Sequence, residues 1–368
     1  MQELHDKATR AWFSVSNVIF RNKRMEVDKI FNIFDSLVTP VALYGCEFWL
    51  PLVLPKKSFS SKYNLLSFWG DFLCEKINQK CARIALSVNR KTSRLAVLGE
   101  LGRYPLFVKA LSHCINYKSS LLGPNNQQSS LLYDVVQEMK IMTSSGSDCW
   151  LSRVYKIQKL LNLPDTPCFK RLQGKKCTAN IRSKFDRFWL DKLNSMETNS
   201  QNLSDQSDQR DRNKLRTYRV FKASFTREPY IDLVKNRNQR TAIARLRTGS
   251  HLLNIEKGRW TRPVTPVEHR ICSYCAPIST ASCSPGSRSP PTSTIDDEYH
   301  FLMNCSRFKN IRDIAFEDIS LHLPTFSNLS KRQQFCTLLC PTQATVIKIV
   351  NRLIRDMFQS REKIDNQP

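Results

Sequence analysis

Two short clusters, Cys272-Ser273-Tyr274-Cys275 and His300-Phe301-Leu302-Met303-Asn304-Cys305, constrain this chain more than any other feature. A Cys-x2-Cys hairpin points two thiolates at one centre, and His-x4-Cys returns an imidazole and a third thiolate about one helical turn apart. Cys272, Cys275, His300 and Cys305 together make a closed tetrahedral zinc set, structural in kind, with no open position for a catalytic water. The competing reading is ordinary buried cysteines beside a surface histidine. Between the halves, Ser279 to Thr294 is almost entirely Ser, Thr, Pro and Gly with Arg288. Such a stretch buries no core and reads as a disordered insertion, longer than a compact metal module favours. It carries Cys283, and His269 precedes the first cysteine; both are spare ligands expected to stay outside the site. Recruiting Cys283 would order a flexible loop at about 1–2 kcal/mol per residue. The expectation is one zinc per chain, with three sulfurs and one ring nitrogen within about 4 Å of one another.

The formal charge of the 368-residue chain is +25, with a pI near 9.7. So large a positive excess repels itself unless the partner is a polyanion. The nearest candidate for a membrane span, Ser36 to Leu54, contains Pro40, Glu47 and Pro51 and reads as a core helix and turn, so no membrane partner is expected. Thirteen scattered cysteines, several among apolar neighbours (Cys46, Cys81, Cys114), fit reduced thiols in the nucleus or cytoplasm and not a secreted disulfide scaffold.

Apolar periodicity predicts a mainly α-helical chain. Residues 1–55 read as a helical segment. Residues 56–198 form a helical middle region that includes a stripe at Leu66, Trp69, Leu73, Ile77, Cys81 and Ile84, taken as one amphipathic helix. Further helices are expected over Phe107 to Leu122, Leu131 to Met142, Trp150 to Leu163 and Lys175 to Leu193. Gly99-Glu100-Leu101-Gly102 reads as a turn between helices in preference to a phosphate-gripping glycine loop. A polar linker covers 199–209, a basic segment 210–265, the zinc module 266–312 and a helical tail 313–368.

Arg210 to Arg262 holds 15 Lys and Arg against four acids, a net +11. Tyr218, Phe221, Phe225, Tyr230 and Trp260 are interleaved with them. Helical spacing runs from Leu233 to Leu253. Basic side chains beside flat rings neutralise phosphates and stack on unpaired bases. Lys235, Arg237, Arg240, Arg245, Arg247, Arg259, Trp260 and Arg262 are therefore the expected nucleic-acid contacts, against the alternative of a solvated charged face.

Several stretches, in order, resemble the C-terminal part of reverse transcriptases of non-LTR retrotransposons. Phe34-Asp35-Ser36-Leu37-Val38, Pro40, Leu43-Tyr44-Gly45-Cys46-Glu47 and Trp49 resemble the helical thumb that follows the polymerase palm. Gly99 to Pro105 resembles a segment downstream of it. Leu215-Arg216-Thr217-Tyr218, Glu228-Pro229-Tyr230, Leu246-Arg247, Gly249-Ser250-His251 and Gly258 to Pro263 resemble the basic approach to that family's Cys-Cys-His-Cys zinc knuckle, which the four ligands match. The resemblance implies RNA or single-stranded or nicked DNA as partner and no small-molecule substrate. Catalysis by the chain itself is not expected. The only adjacent aspartates, Asp296-Asp297, lead into His300 and have no third carboxylate nearby to bridge two metals. The palm and endonuclease of the family are expected to be missing. Two other classes stay open: a zinc-dependent protein-interaction module, and an inactive transposon relic.

Overall fold

The computed structural model describes residues 1–22, 25–122, 131–164, 171–198, 215–275 and 295–365. The expected linker at 199–209, the Ser279–Thr294 insertion and Cys283 lie outside the described residues. The fold is mainly α-helical, with a single isolated β-bridge among the described residues. No described helix is long and apolar enough to cross a membrane, and every described cysteine is a free thiol, with Cys46, Cys81 and Cys114 fully buried.

The chain divides into two compact units that interleave along the sequence. One comprises 1–21, 28–81 and 102–193, the other 22–27, 82–101 and 194–368. The consecutive segments read from composition therefore do not each map onto one compact body.

In the first unit, α1 (Gln2–Arg21), α2 (Val27–Leu37), α3 (Cys46–Val53), α4 (Glu75–Leu86), α6 (Leu106–Leu121), α7 (Leu131–Ser144), α8 (Trp150–Leu160) and α9 (Arg171–Thr198) supply most of the residues; α5 (Arg94–Leu101) belongs to the second unit. Helix α3 lies along α6, and α8 packs on both. The stripe from Leu66 to Ile84 does bury Leu66, Trp69, Ile77 and Cys81, but it is not one helix. A short helix ends at Ser67, a 3-10 turn spans Phe68–Gly70, and the helix restarts at Glu75. Gly70 and Asp71 break it, with the Asp71 N–H turning back to the Phe68 carbonyl at 2.9 Å. Buried Glu75 then accepts the Leu106 N–H at 2.7 Å and so caps the first turn of α6.

In the second unit, α10 (Arg237–Arg247), α11 (Lys309–His322), α12 (Lys331–Leu339) and α13 (Ala344–Asp365) form the frame. The stripe Val346, Val350, Leu353, Ile354 and Met357 of α13 is buried, and α13 packs against α10 and α11. The helical spacing seen from Leu233 to Leu253 resolves into a short helix, Pro229–Leu233, and α10 after a break at 234–236. Gly99 lies inside α5 and Gly102 follows it at φ +56°, a left-handed C-terminal stop suited to glycine. The turn therefore starts only at Gly102, and Gly99, Glu100 and Leu101 are helical rather than part of it.

Candidate metal centre and basic cleft

The four expected ligands converge. One ligand atom from each of Cys272, Cys275, His300 and Cys305 lies within 4.8 Å of the others, a group that can hold a metal ion. Cys305 Sγ is 3.5 Å from Cys275 Sγ and 4.0 Å from Cys272 Sγ. Cys272, His300 and Cys305 are buried and Cys275 is half-buried. His269 is exposed and lies outside the group.

Local structure explains the convergence. Cys275 turns back on Cys272 through its N–H to the Cys272 carbonyl at 3.4 Å. His300–Asn304 is a single π-type turn, closed by the Cys305 N–H to the His300 carbonyl at 2.8 Å. Such wide turns recur at functional sites because they re-aim side chains. Asp297 caps this turn by accepting the His300 N–H at 2.8 Å. Beneath it Phe301, Leu302 and Met303 are buried, with Phe301 against Phe308 and Phe358. Arg312 donates to the Cys305 carbonyl at 3.1 Å.

The insertion's ends are tied. Ile271 and Ile295 form the antiparallel bridge, and the Asp296 N–H reaches the Arg270 carbonyl at 2.9 Å. Closure of a loop pinned at its neck depends only weakly on length, so the long insertion is compatible with the ligand geometry. Arg270 itself bonds the Ile255 and Thr265 carbonyls at 2.8 and 2.9 Å. It crosses Gly258 so closely that a Cβ there would lie 2.6 Å from its Nε, which requires glycine.

The four groups divide their protons unequally. A hydrogen bond from Cys305, aided by His300, draws the Cys272 thiol down to about 3 against its burial, and the same bond pushes Cys305 well up. Burial opposes charge on His300, yet its hydrogen bonds to Cys272 and Cys275 raise it to about 9. A bound divalent ion would replace those protons, since metal ligands must be deprotonated.

Behind the site lies a buried charged network. Glu298, two residues before His300, is met by Arg216, by Thr217 Oγ1 at 3.0 Å and by His251 Nε2 at 2.9 Å. Glu256 is met by Arg259 at 3.1 Å and Arg216 at 3.8 Å. Asp296 is fully buried under Arg361, at 2.6 and 3.0 Å. The adjacent aspartates thus have structural partners on either side of the turn.

The expected nucleic-acid contacts split into two groups. Arg240, Arg247 and Arg259 are corrected: they are 0%, 1% and 4% exposed and inaccessible to phosphates. Arg240 and Arg247 are seven residues apart and share the inner stripe of α10 with Ile243 and Ala244. Arg240 binds the Val234, Lys235 and Ala85 carbonyls, and Arg247 binds Glu100 and Glu228. Arg245, Trp260, Arg262 and Lys235 are exposed and Arg237 is half-buried.

Arg245 and Arg237 both reach Ser87, at 3.0 and 2.6 Å. That contact points to residues passed over in the sequence: the exposed Arg90 and Lys91 just beyond, and Lys257. These three and Trp260 line a cleft of about 490 Å³. Lys91 Nζ sits 4.1 Å from the centroid of the half-exposed Trp260 ring. The one carboxylate in the lining, Glu256, is buried and held by arginines. Basic residues flanking a Gly-Arg-Trp turn were the available signal. No family model matches the chain, and no curated protein or solved structure is significantly similar to it.

Proposed function

We propose that the chain is a zinc-organised, nucleic-acid-gripping module, the C-terminal part of a non-LTR retrotransposon-type RNA-directed DNA polymerase, with no polymerase activity of its own. The observation that carries the binding role is the cleft: a half-exposed tryptophan ringed by Arg90, Lys91 and Lys257, with no exposed carboxylate in the lining. Cations of this kind neutralise a phosphate backbone while the ring stacks on an unpaired base. Zinc is favoured by the ligand spacing. Tetrahedral Zn–S bonds of about 2.3 Å place sulfurs about 3.8 Å apart, between the two sulfur separations of 3.5 and 4.0 Å. Bound there, zinc would hold Arg270 and the Gly258–Trp260 turn in place beside the cleft.

Fluorescence anisotropy with single-stranded RNA and DNA across a salt series tests the binding role. The intact protein is expected to bind both with little sequence preference and a steep slope. Removing Arg90, Lys91 and Lys257 together should flatten that slope by about 2 log–log units, at roughly 0.7 per phosphate contact. Trp260→Ala should weaken binding with the slope unchanged, by about 1–3 kcal/mol. A triple variant with the parental slope would remove the cleft from the interface. Separately, a primer on an RNA template should not be extended by the purified chain with any divalent ion; template-dependent synthesis would overturn that part of the reading.

The protein-interaction reading draws support from α7, where Leu131, Val135 and Ile141 are 81%, 44% and 62% exposed. Apolar docking through such a face weakens little with salt, so the same titration separates the two readings.

A further inference from the structure

We propose that Cys46, Glu47 and His113 form a second metal site, a three-ligand site for a zinc-like divalent ion whose fourth position faces solvent. Nothing in the first site or the basic cleft uses these residues. Cys46 Sγ lies 3.7 Å from His113 Nδ1 and 3.7 Å from Glu47 Oε2, and the three ligand atoms all fall within 4.8 Å of one another. A tetrahedral ion with Zn–S of about 2.3 Å and Zn–N or Zn–O of about 2.0–2.2 Å spaces such pairs about 3.6 Å apart. The match is made by two ligands adjacent in sequence and a third 67 residues away on another helix.

The backbone under the ligands is held independently of any ion. Cys114, next to His113 on α6, donates its thiol to the Cys46 carbonyl at 3.4 Å. Trp150 on α8 donates its indole N–H to the Glu47 carbonyl at 2.9 Å. Phe48 and Tyr117 pack edge to face at 4.7 Å between the same two helices. The Cys46 carbonyl is thus pinned against α6 and the Glu47 carbonyl against α8, which fixes the ligand geometry before binding.

Ligand type and exposure define what the site would take. One thiolate, one imidazole and one carboxylate suit a borderline ion such as zinc and disfavour magnesium or calcium, which select oxygen. Cys46 is buried, Glu47 half-buried and His113 exposed, so a bound ion would keep one side open to water or a small anion. Three protein ligands with an exchangeable fourth is the open kind of zinc site, in contrast to the closed set at Cys272–Cys305.

Cobalt titration of the full chain, followed by absorption, tests this. The intact protein should take up two equivalents, both with four-coordinate visible bands, the second with the weaker sulfur charge-transfer band expected of one thiolate. His113→Gln, at an exposed position that leaves the core untouched, should lose the second equivalent and keep the first. Cys46→Ser should do the same. Cys283→Ser should keep both, and Cys305→Ser should lose the first equivalent and keep the second, so failure of the first site is distinguishable from failure of this one. A stoichiometry of one in the intact chain, left unchanged by His113→Gln, would overturn the proposal. So would a second equivalent that survives His113→Gln and Cys46→Ser.

Discussion

Replacing Cys305 by serine is expected to release the metal from the Cys272–Cys305 site and to loosen the segments on both sides of the insertion. Cys305 is the shared member of the set, 3.5 and 4.0 Å from the two hairpin sulfurs. It is 1% exposed, so no solvent ligand can replace it cheaply. Structural zinc contributes an apparent 10–16 kcal/mol in isolated zinc fingers, and losing one thiolate removes much of that. Here the π-type turn also rests on Phe301, Leu302 and Met303, so local opening is expected, with the helices of the second unit retained. Hydrogen exchange should show faster amides at 270–275 and 300–308 and little change in α13, with one metal equivalent lost by elemental analysis. Chelation of the intact protein should give the same pattern. Cys283→Ser should leave both measurements unchanged. If Cys283→Ser releases the ion and His300→Ala does not, the four-ligand assignment is wrong.

Arg247→Met should destabilise the second unit by about 3–5 kcal/mol, because it strands buried charge. The guanidinium reaches Glu100 through Nε and Nη2 at 2.9 Å each and Glu228 at 2.7 Å, with both side chains of the Arg247–Glu100 pair 0% exposed. It also donates to the Leu339 carbonyl and lies 4.4 Å from the Phe221 ring centroid. Methionine fills similar length and provides no donor. Glu228 keeps Lys222, whereas Glu100 keeps only the Tyr230 hydroxyl at 2.7 Å and the Arg247 positive charge is gone. Adding Glu100→Gln should recover a large part of the loss, a coupling that urea unfolding of the four proteins of the double-mutant cycle would measure. Arg245→Ala, at an exposed position on the same helix, should stay within about 0.5 kcal/mol. A cost below about 1 kcal/mol for Arg247→Met would mean the pair is solvated. A flattened salt slope at unchanged stability would mean Arg247 meets phosphates after all.

The two predictions differ in how far the sequence alone could carry them. The four converging groups of the candidate metal site were legible because each half of the site is local: two residues separate Cys272 from Cys275, and four separate His300 from Cys305. Spacing of that kind survives any arrangement of the rest of the chain. Helix content was legible for a related reason, since the 3.6-residue repeat is local, and α6, α7, α8 and α9 lie close to where periodicity put them. The stripe from Leu66 to Ile84 failed as one helix because apolar spacing cannot register a break that Gly70 and Asp71 introduce while burial on both sides continues.

The arginines show what only tertiary structure decided. By composition Arg240, Arg245 and Arg247 are one basic cluster. Arg245 faces solvent, while Arg240 and Arg247 lie on the inner face of α10. Arg247 meets a carboxylate 147 residues away. A buried charge is tolerated only with such a partner, and the partner's arrival depends on how α5 and α10 pack. Other long-range contacts bring Lys91 over Trp260 in the second unit and Cys46 beside His113 in the first, between residues far apart in the chain that no local pattern pairs. Residue type and short spacing determined which groups can bind a metal or carry charge. Long-range packing decided which charges face water and which are spent inside the protein.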